Sequence, residues 1–309
     1  MCGIVGYAGK TNVISNIMTG LKSLEYRGYD SAGIAYVKNN KINIMKKEGQ
    51  IKNVESLIDY NDDARLGISH TRWATHGKAD DVNAHPHRQG KITLVHNGII
   101  ENYDILKKEL IKKGYEFKSC TDTEVAAAVI DNLYNETNDM LKALNEATYV
   151  LKGSYAFNII NDDIMDTIYG IRKDSPLIIG VSNDGNILAS DIPAILHVTN
   201  KYVVLDNYDI VVLDQKEVKY YNRDMEEITK NIKEFTEEKE TISKNGYDHF
   251  MLKEINEESE VVKKILRIYT DNNKVKDVFD IGKYKSIDIV ACGSASFAGQ
   301  IGKYYIEKY

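Results

Sequence analysis

Cys2 stands directly behind Met1. Removal of Met1 would leave a leading residue that carries a thiol and a free α-amine on one carbon. An α-amine has a reference pKa of about 7.7–8.0, so near neutral pH a useful fraction is unprotonated. It can then take the thiol proton, as the amine of an N-terminal Thr nucleophile does. A Cys in this place is, taken alone, more often chance or plain core packing, so the chemistry depends on what surrounds it.

Residues 69–77 read Ser-His-Thr-Arg-Trp-Ala-Thr-His-Gly and contain the chain's one Trp, Trp73. Arg72 presents a planar fork that matches a carboxylate, while Thr75 and His76 are placed to hold a second polar group. Five of the seven histidines fall between His70 and His96. No Cys or carboxylate stands at ligand spacing beside them, so hydrogen bonding to loop backbone is favoured over a metal centre. Residues 95–102 read Val-His-Asn-Gly-Ile-Ile-Glu-Asn. An Asn-Gly step after a strand usually makes a hairpin turn, but here a helical pattern follows. The alternative is an oxyanion hole, formed by the Asn97 side-chain amide and the Gly98 backbone N–H. Asp122, in Thr-Asp-Thr-Glu, is either a helix N-cap or a carboxylate that receives an α-ammonium. Arg27 sits in a Gly-punctuated turn, which is either a plain loop or a support for the N-terminal residue.

These side chains need a scaffold. Residues 2–7 read as a short strand ended by Gly9, and 12–24 as a helix with Val13, Ile14, Ile17, Met18, Leu21 and Leu24 on one face. Strands are expected at 34–37, 42–45, 66–69 and 92–96. A helix capped by Asn102 and ending at Gly114 follows, then helices over 123–133 and 141–151. Strands return at 154–160, 167–171, 177–181, 202–205, 210–213 and 218–221. Strands, then helices, then strands suit helices covering two stacked sheets, not a βαβ alternation. From Glu226 the chain is rich in Glu and Lys and poor in large apolar residues, as a connector would be. An amphipathic helix over 252–268 follows. Residues 286–299 then read as a buried strand, a small-residue turn and a helix start.

Bulk properties limit the alternatives. A net charge of −6, with Lys interleaved among Asp and Glu, gives no basic face for nucleic acid. No apolar run reaches the roughly 18 residues of a membrane span, and the N-terminus is not a secretory signal. Three widely spaced cysteines suit a reducing compartment, and the expected location is cytoplasmic.

Taken together, these segments resemble the N-terminal half of the glutamine–fructose-6-phosphate aminotransferase family. The matching stretches are residues 2–6, 24–33, 70–77, 82–87, 95–102 and 121–124, in family order and at family spacing. The resemblance implies an α+β fold, the four-layer αββα sandwich of N-terminal-nucleophile hydrolases, over residues 1–225. It further implies a linker over 226–250 and an incomplete α/β sugar-isomerase (SIS-like) segment over 251–309. It implies that Cys2 attacks the side-chain amide of L-glutamine and releases ammonia, with Asn97 and Gly98 as the oxyanion hole. Arg72 would then bind the α-carboxylate and Asp122 the α-ammonium; Trp73, Thr75 and His76 would complete the pocket, with Arg27 in support. No metal or cofactor is implied. Fructose 6-phosphate would be an acceptor only if the rest of the isomerase half is supplied, and homodimerisation would belong to a full-length form. Where the family has Cys-Gly-Thr-Ser, this chain has Cys-Gly-Ser-Ala at 292–295, which leaves Ser294 and Ser296 as the candidate sugar-phosphate hydroxyls. The rival readings are the glutaminase of another amidotransferase, or a silent module that binds glutamine or a sugar phosphate.

Overall fold

The computed structural model describes residues 2–73, 77–236, 246–271, 274–276 and 281–308. The chain divides into two compact units, Met1–Ser243 and Lys244–Tyr309.

In the first unit, the strands are β1 (Gly3–Gly9), β2 (Ser31–Lys38), β3 (Lys41–Glu48), β4 (Leu66–Arg72), β5 (His87–Gln89), β6 (Ile92–Ile100), β7 (Gly153–Asn161) and β8 (Ile164–Lys173). They continue with β9 (Ile178–Gly180), β10 (Gly185–Ala189), β11 (Lys201–Val204), β12 (Ile210–Leu213), β13 (Val218–Tyr221), β14 (Glu227–Ile228) and β15 (Lys233–Glu234). The helices are α1 (Val13–Lys22), α2 (Ile51–Glu55), α3 (Tyr103–Lys112), α4 (Asp122–Thr137) and α5 (Met140–Val150). One sheet has the order β15-β11-β9-β10-β1-β4-β2-β3 and the other β14-β13-β12-β8-β7-β6-β5.

Three buried cores lie between four layers. In β1, Ile4 and Ala8 point into the core between the sheets, and Val5 and Tyr7 point to the opposite face, among α1 and α2. This is the two-residue alternation of a strand covered on both sides. On the far side of the second sheet, Leu94, Tyr155 and Phe157 pack against Val125, Ile130 and Leu144 of α4 and α5. The result is the αββα sandwich expected from the sequence.

Several local expectations change. The strand expected at 92–96 runs on as β6 to Ile100, straight through Asn97 and Gly98, and stays paired with β7 along its length. Asn102 stands at the N-cap of α3 as expected, but its side chain makes no capping hydrogen bond and instead bridges Val150 O (2.9 Å) and Lys152 N (3.0 Å), tying the start of α3 to the end of α5. β5 and β10 were not foreseen.

In the second unit, α6 (Phe250–Tyr269) and α7 (Gly293–Lys308) form, but residues 286–291 do not form the expected strand. No neighbouring strand pairs with them among the described residues, and Ile287, Ile289 and Val290 are exposed. A strand needs partners for its N–H and C=O groups, and hydrophobicity alone does not supply them. Among the described residues, no helix is long and apolar enough to cross a membrane.

Candidate active site

β1 begins at Gly3, so Cys2 projects from the end of the central strand of the first sheet. Its backbone and sulfur are both held. The Asn97 side-chain Nδ2 donates to Cys2 O across 3.1 Å, and Arg27 Nη1 makes a longer 3.5 Å contact to the same oxygen. The Trp73 backbone N–H donates to Cys2 Sγ at 3.2 Å. Burial pushes the Cys2 thiol above its usual pKa, against the opposing pull of the Trp73 N–H and the Arg72 charge. A buried thiol of this kind needs a base to become a nucleophile.

Asn97 and Gly98 lie mid-strand in β6. The Asn97 amide has two N–H hydrogens, so its bond to Cys2 leaves one to point elsewhere. Gly98 has φ +132°, and a Cβ there would lie 2.0 Å from Ser154 O. Only glycine fits where the β6 backbone presses this closely on β7.

Arg72 ends β4 and is buried. Its Nη1 donates to Lys78 O at 3.1 Å and lies 3.8 Å from Asp30 Oδ1, and the Asp30 N–H donates to Arg72 O at 2.7 Å. Asp122 is the first residue of α4. Thr121 is the N-cap and accepts from Glu124 N, so the Asp122 carboxylate is not used as a cap. Its Oδ2 accepts the Ile100 N–H at 2.8 Å instead. That bond ties the end of β6 to the start of α4 and leaves Oδ1 for another donor. Trp73 is 55% exposed. The expectations for Thr75 and His76 lie outside the described residues.

The pocket that gathers Cys2, Arg72, Trp73, Gly98 and Asp122 is also walled by His85, His96, Thr121 and Thr123. Its free volume is about 10 Å³, room for about one water molecule, so an amino-acid side chain would have to open it. Four larger grooves, of about 610, 730, 400 and 610 Å³, lie elsewhere, and none of them is lined by a Cys or His. One 610 Å³ groove belongs to the second unit and includes Ser296 but not Ser294; Ser294 sits in the first turn of α7.

Some supporting residues had no local signal. Asp191 accepts from Arg27 Nη2 at 2.7 Å and from the Tyr26 hydroxyl, which fixes the arginine that reaches Cys2. It is 164 residues away along the chain. His70, His85, His87 and His96 form a buried cluster at the pocket. The His70 and His85 rings lie 4.0 Å apart, His85 and His87 5.1 Å, and His70 Nε2 meets His96 O at 2.9 Å. Among the described residues, no group of three His, Cys, Asp or Glu is placed to hold a metal ion. Burial lowers His70 to about 3 and takes His85 and His87 well below their usual value. At neutral pH these rings are therefore neutral packing and hydrogen-bonding groups.

A family model for the glutamine amidotransferase domain matches residues 70–197. The glutamine phosphoribosylpyrophosphate amidotransferase of B. subtilis superposes with a TM-score of 0.63 at 26% identity, over 73% of this chain and 50% of that one. A structure described as the allosteric regulatory enzyme of purine biosynthesis gives 0.64 at 26%, with the same coverage. The fold is thus the αββα sandwich of the N-terminal-nucleophile type, and residues 70–197 are similar to a glutamine amidotransferase domain. The whole chain is 45% identical to the glutamine–fructose-6-phosphate aminotransferase (isomerizing) of Clostridium acetobutylicum, covering 52% of that protein. It is 44% identical to the enzyme of the same name from Clostridium perfringens, again covering 52%. The chain spans about half the length of the curated relatives it matches.

Proposed function

We propose that the chain hydrolyses L-glutamine to glutamate and ammonia through a thioester on Cys2. The observation that carries this reading is the convergence of Cys2, Arg72, Asn97, Gly98 and Asp122 on one point from β1, β4, β6 and α4. Once Met1 is removed, the Cys2 amine takes the thiol proton and the sulfur attacks the glutamine side-chain carbonyl carbon. The second Asn97 N–H and the Gly98 N–H receive the developing oxyanion. Collapse breaks the C–N bond, and the proton held by the α-ammonium leaves with the amide nitrogen as ammonia. Water, deprotonated by the same amine, then cleaves the thioester to glutamate. Arg72 pairs with the substrate α-carboxylate and the second Asp122 oxygen with its α-ammonium. Trp73 is part of the wall that must move to admit substrate, and Thr75 and His76 are assigned to substrate binding on the resemblance alone.

We assign the ammonia to fructose 6-phosphate, as the names of the relatives suggest, when the remainder of a sugar-isomerase half is present. In that scheme residues 1–225 are the glutaminase, 226–250 the linker and 251–309 the opening of the isomerase. Ser294 and Ser296 would then offer hydroxyls to a sugar phosphate, and a homodimer would belong to the complete assembly. The free thiols of Cys2, Cys120 and Cys292 fit a cytoplasmic setting. An ammonia-release assay on chain beginning at Cys2, confirmed by intact mass, tests the reading. Glutamine binding without ammonia release would replace it with that of a silent binding module.

A further inference from the structure

Behind the pocket, the edge strand β3 grips the segment 77–87, which links Arg72 and Trp73 to β5. Three successive β3 residues take part. Lys46 Nζ donates to Val82 O at 3.0 Å and to Ala84 O at 2.7 Å. Lys47 pairs with Asp81 at 2.7 Å, and the Glu48 N–H donates to the other Asp81 oxygen at 2.7 Å. The Lys47 pair is exposed on both sides. Lys46 is different. It is half-buried, and desolvation lowers its pKa to about 8 despite the attraction of Glu124 and Asp80. An ammonium set on two backbone carbonyls in that place has a geometric task.

The gripped segment reaches the site by two routes. Ala84 O, on Lys46, immediately precedes His85, which walls the pocket. The His85 backbone also lies so close over β2 that a Cβ on Gly33 would come within 2.1 Å of His85 O. Further along, Asn83 Nδ2 holds Lys78 O at 3.2 Å, the same carbonyl that Arg72 Nη1 binds at 3.1 Å. Lys46 therefore acts on a strap that sets both one pocket wall and the guanidinium of Arg72.

We propose that Lys46 is a positioning residue for glutamine binding, holding the 82–84 carbonyls so that the strap keeps Arg72 aimed at the substrate carboxylate. This rests on the glutaminase reading above and adds a residue to it that touches no substrate. It predicts a split between kinetic constants, because Arg72 binds a part of glutamine remote from the bond that breaks.

The test uses the full chain beginning at Cys2, assayed for ammonia release beside Lys46→Met, Lys46→Gln, Lys46→Arg and Lys47→Met. Lys46→Met should raise KM for glutamine roughly tenfold with a smaller change in kcat, the scale expected for losing a charged hydrogen-bond donor. Lys46→Arg, which keeps charge and donors, should restore most of the loss. Lys47→Met, which removes only an exposed pair, should leave KM unchanged. Should Lys46→Met fail to fold, Lys46→Gln is read in the same way. The proposal is overturned if the folded Lys46 variants keep the parental KM, or if they lose only thermal stability. If the parental chain itself releases no ammonia, it is the glutaminase reading that fails, and loss of that reading is thereby distinguished from loss of the role assigned to Lys46.

Discussion

The Asn97 side chain holds the carbonyl of Cys2 at 3.1 Å, across 95 residues of sequence. The amide assigned to the oxyanion hole is thus also the group that anchors the attacking residue. One side chain ties the tip of β1 to the middle of β6, so nucleophile and oxyanion site cannot drift apart independently.

Asn97→Ala should therefore lower turnover by about 10²–10³, the usual effect of losing one oxyanion donor. It should also loosen Cys2. The check is steady-state ammonia release together with the alkylation rate of Cys2. A variant near parental turnover would remove Asn97 from the oxyanion role.

Arg27 and Asp191 form a partly buried pair whose arginine also reaches Cys2 O. Asp191→Asn should reduce kcat/KM roughly tenfold, since the arginine then loses its charged partner and with it a fixed direction. Thermal stability should change far less, as most of the αββα core is remote from the pair. Unchanged kinetics in Asp191→Asn would make Arg27 a surface ornament of the turn and not a support for Cys2.

Acid should destabilise the chain through its buried histidines. His70 titrates near 3 in the folded protein against an ordinary 6.5, and His85 and His87 are depressed as well. Between those values the unfolded chain binds more protons than the folded one, so stability rises with pH there. Their contribution is complete above about 6.5 and is lost progressively as pH falls towards 3. Urea midpoints should thus drop between pH 7 and pH 5, and drop less steeply in His85→Asn. A flat profile over that interval would show that the rings titrate alike in the folded and the unfolded chain.

The site was legible where its chemistry is local. Cys2, Arg72, Asn97 and Asp122 each announced themselves by residue type and immediate neighbours. Asp191 and Lys46 did not, because their partners lie 164 and 36–38 residues away and only the folded chain brings them together. In the fold, the alternation of β1 and the spacing of α1 were readable because each buries a regular face. β10 was hidden: Gly185-Asn-Ile-Leu-Ala is short and follows the polar turn Ser182-Asn-Asp. It is a strand because β1 and β9 flank it. Residues 286–291 erred in the opposite direction, with strand-forming residues but no described neighbour to pair with.

The most direct test is rapid acid quenching of the Met1-processed chain with glutamine, followed by mass analysis of the peptide that begins at Cys2. The account predicts a transient mass gain equal to glutamine less ammonia on that peptide, and neither adduct nor ammonia release in Cys2→Ala. Ammonia release that survives in Cys2→Ala would contradict it.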